Sequence, residues 1–327
     1  MLQLPTYYFP NGDPMKKIEE TIYKHYGLNV SHLTPQQGGW SALAYKMIAG
    51  DRTYFLKIYE KSRASTLKWT ALINEYVPVL IWLQQHSSLN GKIPVPRVTK
   101  DGNYQCSNAD GIFLLYDYIE GETIGNRDLT DNQVVQLANI IAELHSYDEQ
   151  LPIKTQHLKE DFSIPFVSQL KQLINGQSIA PLDVREVIDQ HSEQLSELID
   201  EIEKRSRDLP QRPLRNVLCH TDLHNWNLMI AKEQVILIDW EGLRLAPVEA
   251  DFMFLVDQPY YETFLSAYRK RHPDFALIPD VLRFYQVRRR LEDTWEWLEQ
   301  LLFDQQESHE RTKTLASLTK ELQEMAD

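Results

Sequence analysis

The stretch His220-Thr221-Asp222-Leu223-His224-Asn225-Trp226-Asn227 gathers two histidines, one acid and two amides in eight residues. It follows the apolar run Val217-Leu218-Cys219 and precedes Leu228-Met229-Ile230. A second apolar run, Val235-Ile236-Leu237-Ile238, ends on Asp239. Strands of this kind make a small hairpin that would bring Asp222, Asn227 and Asp239 to one end. Two carboxylates and an amide oxygen are hard donors, suited to magnesium, which keeps waters and usually shares substrate phosphate. His220, Asp222 and His224 could instead bind zinc. Only Cys219 stands near enough to complete a tetrahedral set, and its side chain is expected to point the opposite way. His220 reads better as a hydrogen-bonded scaffold, Trp226 and Met229 as packing, and Cys219 as an inert core thiol.

His220-x-Asp222-x-x-x-x-Asn227, followed twelve residues later by Asp239, resembles the catalytic loop and metal-binding acid of kinases. The run from Cys219 to Asn227, with Ile238-Asp239-Trp240-Glu241, is similar more narrowly to the aminoglycoside phosphotransferase family, which also contains choline and homoserine kinases. Ile238 to Glu241, Leu245-Ala246-Pro247-Val248-Glu249-Ala250-Asp251-Phe252-Met253-Phe254, and Tyr285 with Arg290, Glu292 and Asp293 resemble its spectinomycin-phosphorylating branch. The matching blocks are spread from about residue 36 to residue 293. The resemblance implies an α+β, protein-kinase-like fold of two lobes, a small antiparallel sheet lobe and a larger, mainly helical lobe. It implies ATP or GTP and Mg2+ as cofactors. Asp222 would orient the acceptor hydroxyl and accept its proton, while Asn227 and Asp239 would hold magnesium on the phosphates. Phosphoryl transfer asks for such positioning and charge neutralisation and for little covalent chemistry.

The nucleotide side lies earlier in the chain. Gly38-Gly39 and Ser41 fall between two strand-like runs, where two glycines let a backbone approach phosphate and a hydroxyl can add a contact. Lys57 stands inside the apolar run Tyr54-Phe55-Leu56-Lys57-Ile58-Tyr59. A lysine facing inward needs an anion, which nucleotide phosphates would supply; an edge-strand lysine facing solvent is the alternative. The kinase resemblance makes Glu75 the expected partner of Lys57. It also makes Phe113 to Gly121 a hinge, with the Asp117 carbonyl and the Ile119 amide on the nucleotide base. His145, at the end of a helix, reads as structural. Asp251 reads as a helix N-cap; by resemblance, an acid so placed braces the catalytic loop.

For the acceptor, the resemblance points to Glu241, Glu292 and Asp293, with Trp295 and Trp297 as apolar walls. The class implied is a cationic aminocyclitol or aminoglycoside such as spectinomycin. Choline, homoserine or sugar-type metabolites and a catalytically silent, spore-coat-like relative are the alternatives. Intact Lys57, Asp222, Asn227 and Asp239 weigh against silence. Ala246-Pro247-Val248-Glu249 begins seven residues after Asp239, too soon for the peptide-binding segment of a protein kinase. Glu292 and Asp293 could equally pair with Arg288 to Arg290 on a helix surface.

These residues need a scaffold, and the chain can build one. Its 327 residues allow about two units, and 43% apolar with 25% charged residues is a folded composition. Helical periodicity is expected over Met15–Tyr26, Thr66–Gln85 (split or kinked at Pro78), Asp131–His145, Phe166–Ile174, Val184–Lys204, Tyr261–Arg271, Val281–Phe303 and Thr312–Met325. Strands are expected over Val30–Thr34, Ala42–Ile48, Arg52–Tyr59, Val95–Lys100 and Gly111–Tyr118, and in the island from Val217 to Leu237. Strands first and helices later give α+β, with residues 1–120 as the nucleotide-binding lobe with its hinge and 121–327 as the helical lobe with the acceptor site. A net charge of −13 disfavours nucleic acid and anionic membranes. No long apolar run suggests a membrane span, no obligate protein partner is evident, and two cysteines without a framework suit a reducing cytoplasm.

Overall fold

Antiparallel pairing dominates the first third of the chain. In a computed structural model, which describes residues 14–36 and 41–325, helix α1 (Pro14–Tyr26) precedes strands β1 (Val30–Gln36), β2 (Leu43–Ala49) and β3 (Arg52–Glu60). Helices α2 (Thr66–Thr70) and α3 (Ile73–His86) follow, then β4 (Cys106–Ser107) and β5 (Gly111–Asp117). The sheet runs β1-β2-β3-β5-β4, every neighbour antiparallel. Its register places Lys57 opposite Ala44 on β2 and Leu114 on β5, in the middle of the sheet. The solvent-facing edge-strand alternative for Lys57 is therefore excluded.

Two expectations fail here. Val95–Lys100 is not a strand: Pro94 and Pro96 remove backbone donors, and Arg97 N–H to Leu115 C=O is the backbone bond it makes to β5. The short β4 takes the edge position instead. The helix over 66–85 breaks at Ala71-Leu72, ahead of Pro78, and the proline is the sixth residue of α3, where it removes the one bond its N–H would have made to the Asn74 carbonyl.

The chain then passes through β6 (Glu122–Thr123) into α4 (Asp131–Leu144), whose Thr130 and Gln133 form a capping box. Helices α5 (Val167–Ile174), α6 (Leu182–Gln190) and α7 (Ser192–Asp208) follow. The expected single helix over 184–204 divides at His191, whose ring bonds to the Val187 carbonyl. The island resolves into β7 (Val217–Cys219), β8 (Leu228–Ala231) and β9 (Gln234–Leu237), then β10 (Arg244–Ala246). Helices α8 (Glu249–Phe252), α9 (Tyr261–Tyr268), α10 (Pro279–Phe303) and α11 (Ser308–Glu324) complete the helical lobe. Strand β8 pairs with β9 and β6, and β7 with β10. Gly121 lets the chain cross β8 closely, since a Cβ there would lie 2.6 Å from the Ile230 carbonyl oxygen.

One apolar core joins Tyr59, Ile73 and Leu114 of the sheet lobe to Leu137, Leu228 and Leu237 of the helical lobe. A second lies between α5, α6, α7, α10 and α11. The lobes also meet through charge: Lys68 on α2 pairs with the buried Glu296 on α10. Burial pushes the Glu296 carboxyl up to about 7, against the pull of Lys68. A raised folded value means the native state holds a proton that the unfolded chain has released, so stability falls as pH rises through that value. The melting temperature should therefore drop between pH 5.5 and pH 8, and Glu296→Gln should recover roughly 2 °C or more at pH 8 while changing little at pH 5.5. Melting curves at the two pH values check this; an equal effect of the substitution at both would contradict it.

Candidate functional site

The β8–β9 hairpin sets the site. Leu228 stands opposite Leu237, and the Ile238 N–H donates to the Asn227 carbonyl at 3.0 Å, so Asn227 and Asp239 emerge at the same end. The His220 ring lies 2.9 Å by Nε2 from the Ile238 carbonyl, and its Nδ1 accepts from the Asp222 N–H at 3.3 Å. His220 is thus the scaffold expected, with Trp240 packed edge-on against it at 4.7 Å between ring centres. Asn227 donates through Nδ2 to both the carbonyl and the Oδ2 of Asp222, at 2.9 and 2.8 Å. That leaves its Oδ1 as the atom able to meet a cation. With the Asp239 carboxylate it forms a hard oxygen set that fits magnesium.

Asp239 and Thr221 both hold left-handed backbone, at φ +63° and +69°. Non-glycine residues enter that region at a cost that surrounding contacts must offset. For Thr221 the contacts are visible. Its N–H donates to Asp251 Oδ1 at 2.6 Å, the His220 N–H donates to Oδ2 at 3.1 Å, and its hydroxyl donates to the Gly242 carbonyl at 2.8 Å. Gly242 is required there, because a Cβ would lie 2.5 Å from Thr221 Oγ1. Asp251 is fully buried inside α8 and is therefore no N-cap; Val248 precedes that helix, and the Asp251 carboxylate braces the loop and meets His145 Nε2 at 3.0 Å. His145, also bonded to Tyr268, is structural as expected. Cys219 Sγ lies among these buried groups, away from the loop's polar face.

Lys57 is 8% exposed, and its Nζ donates to Asp239 Oδ1 at 3.1 Å and to Glu241 Oε1 at 2.7 Å. Burial opposes its charge, but the two carboxylates outweigh burial and raise its pKa. The expected Glu75 is not its partner: Glu75 sits half-buried in the first turn of α3, while the lysine points at the end of the hairpin. Glu241, expected to face the acceptor, is buried instead, held by Lys57 and the Tyr59 hydroxyl, because the turn after Asp239 directs it into the sheet lobe. Gly38 and Gly39 lie outside the described residues, and Ser41 is half-buried in the turn leading to β2. Asp117 ends β5 with its side chain on Arg97 at 2.8 Å, and Ile119 follows outside any helix or strand.

Helix α10 supplies what the sequence reading missed. Arg289 Nη1 donates to Asp222 Oδ1 at 2.7 Å and its Nε donates to Asp293 at 2.8 Å. Glu292 pairs with Arg288, which also grips Glu160 through both carboxylate oxygens. The i,i+4 pairs were legible, but no sequence spacing linked Arg289 to Asp222, 67 residues away. Trp295 is 7% exposed and packs in the second core beside Leu291 and Leu298, so it is not an open wall. Burial acts to raise the Asp222 pKa, yet the nearby His224 ring and Arg289 hold it well below the usual carboxylate range.

A family model described as the phosphotransferase enzyme family matches residues 32–291. The chain belongs to that family. Protein StrN of Streptomyces griseus is 27% identical over 217 residues, a match spanning 63% of this chain and 64% of StrN, less than two thirds of that protein. The fold is similar to a spectinomycin phosphotransferase solved with ADP and spectinomycin, at TM-score 0.70 and 21% identity over 95% of this chain and 98% of the other. It is also similar to a microcompartment-associated aminopropanol kinase, at TM-score 0.64 and 16% identity over 95% and 96% of the two chains. An amicoumacin kinase solved with AMP-PNP, Ca2+ and Ami gives 0.61 and 15% over 96% and 94%. The two-lobed, kinase-like architecture is accordingly established.

If Asn227 and Asp239 hold the metal, Asp239→Ala should weaken magnesium-dependent nucleotide binding more than Asn227→Ala, since it removes a full charge. Calorimetric titration with ATP, with and without magnesium, checks this. Equal and metal-independent affinity in both variants and the parent would contradict the assignment.

Proposed function

We propose that this phosphotransferase moves the γ-phosphoryl group of ATP or GTP onto a hydroxyl of an amine-bearing alcohol, an aminocyclitol or aminoglycoside such as spectinomycin. The convergence of Asp222, Asn227, Asp239 and Lys57 at the junction of the lobes carries this reading. Asp222 orients the acceptor hydroxyl and receives its proton as the phosphoryl group leaves the nucleotide. Asn227 Oδ1 and the Asp239 carboxylate hold magnesium, which would neutralise phosphate charge. Lys57 meets the phosphates from β3, with Ser41 beside β2 adding a hydroxyl, and the Asp117–Ile119 backbone meets the base. Two kinases of similar fold, solved in three nucleotide-bound structures, support the donor class.

The amine-bearing class is supported by relatives whose names point to spectinomycin, aminopropanol and amicoumacin, and by the net charge of −13. Glu292 and Asp293 contribute through the arginines they hold, rather than by gripping the acceptor unaided. A small metabolic amino alcohol is the second reading, favoured by the likeness to the aminopropanol kinase; choline, homoserine and sugars fall under the same test. No helix among the described residues is long and apolar enough to cross a membrane, and both cysteines are buried free thiols. A cytoplasmic location fits that chemistry.

An acceptor panel assayed for ADP or GDP release decides the class. Aminocyclitols and amino alcohols should be turned over better than neutral sugars of similar size, with an acceptor KM that rises as salt screens charge attraction. A neutral sugar or alcohol phosphorylated better than every amine, with no salt effect, would remove this acceptor class and leave the phosphotransferase assignment standing.

A further inference from the structure

Both oxygens of the Asp222 carboxylate are already engaged. Arg289 Nη1 is 2.7 Å from Oδ1; Asn227 Nδ2 is 2.8 Å and His224 Nε2 3.3 Å from Oδ2. Arg289 is itself held in place. Its Nε donates to Asp293 Oδ2 at 2.8 Å, and its guanidinium carbon lies 5.3 Å from the centre of the Phe254 ring. The arginine is therefore oriented from three sides, by the carboxylate it caps, the carboxylate behind it and an aromatic face beneath it.

A carboxylate oxygen accepts about two hydrogen bonds, so Oδ1 can take one further donor beside Arg289. A hydroxyl has one proton to give and no charge, and it fits that place. An ammonium brings a positive charge to within a few ångströms of the guanidinium, where like charges repel. It also brings three protons that each need an acceptor. The distinction matters for an acceptor carrying both groups. Without Arg289, the half-buried Asp222 would draw the ammonium first, placing nitrogen where the reacting oxygen must stand.

We propose that Arg289 is a positioning and selectivity residue: it holds Asp222 ready for a hydroxyl and turns the acceptor's ammonium groups away from that carboxylate. The inference rests on the amine-bearing acceptor class proposed above. It also gives Asp293 its role, as the anchor of Arg289 rather than a direct contact of the acceptor.

The test uses the full chain with Arg289→Gln, and Arg289→Met, whose apolar stem keeps the Phe254 contact, beside Arg289→Lys. The probe is 1,3-diaminopropane, which has the amines and no hydroxyl, titrated calorimetrically and as an inhibitor of the best acceptor in the panel. In the Gln and Met variants, diamine binding should tighten about tenfold or more, in line with the effect of a neighbouring charge on a carboxylate. Their kcat should fall about tenfold or more while the ATP KM stays within about twofold. The Lys variant should keep weak diamine binding and regain part of the kcat. Unchanged diamine affinity, or unchanged kcat, in whichever of the Gln and Met variants melts like the parent overturns the proposal. Failure of the acceptor class reads differently, as a parent that phosphorylates only neutral alcohols, and the diamine titration still reports on Arg289 in that case.

Discussion

A lysine ammonium on the central strand of a sheet cannot be left without anions, and the arrangement of the lobes follows from that constraint. Lys57 lies at 8% exposure between β2 and β5, and its charge is met by Asp239 and Glu241 from the other lobe. Loss of either carboxylate would leave a buried charge partly uncompensated, a change that is far more costly than loss of a surface pair. The β8–β9 hairpin is thereby drawn to the sheet, and with it Asn227 and the loop that carries Asp222. Charge matching across the junction also gathers the donors and acceptors that the proposed phosphate and metal contacts would use.

The loop from His220 to Asn227 is tied down from behind as well. Asp251, fully buried, accepts from two successive N–H groups of that loop, and His145 fixes Asp251 in turn. Buried hydrogen-bond networks of this kind hold one geometry because leaving any member unpaired is expensive. The left-handed backbone at Thr221 is affordable only against such a network, and Gly242 opens the space that the threonine hydroxyl uses. Sheet lobe, hairpin, loop and α8 therefore form one connected support for the three polar side chains in front.

Much of this was legible in the sequence, for identifiable physical reasons. The spacing from His220 to Asp239 is local, and local spacing fixes which residues share a hairpin end. Lys57 announced itself as the one charge in the apolar run from Tyr54 to Tyr59. Helix periodicity marked most of the helical lobe within a few residues. What stayed hidden depends on contacts between distant segments. Glu241 turned toward Lys57 instead of the acceptor because the backbone reverses at Asp239, which no side-chain pattern reveals. Glu75 gave way to acids 182 and 184 residues from Lys57. Trp295 entered the core because it shares a helical stripe with Leu291 and Leu298, a pattern present in the sequence and outweighed there by the family resemblance. Arg289 belonged to a basic run that read as a solvated face, and only the packing of α10 against the loop shows its carboxylate partner.

The central claim is that Asp222 presents its carboxylate to the acceptor hydroxyl while the rest of the junction handles the nucleotide. Single-turnover phosphorylation by Asp222→Asn, on the acceptor that the parent turns over best, tests it most directly when nucleotide affinity is measured on the same sample. The account predicts a rate reduced by about 10²–10⁴-fold, the usual contribution of a general base, with ATP affinity largely retained. A variant that phosphorylates the acceptor within about twofold of the parent rate would contradict it.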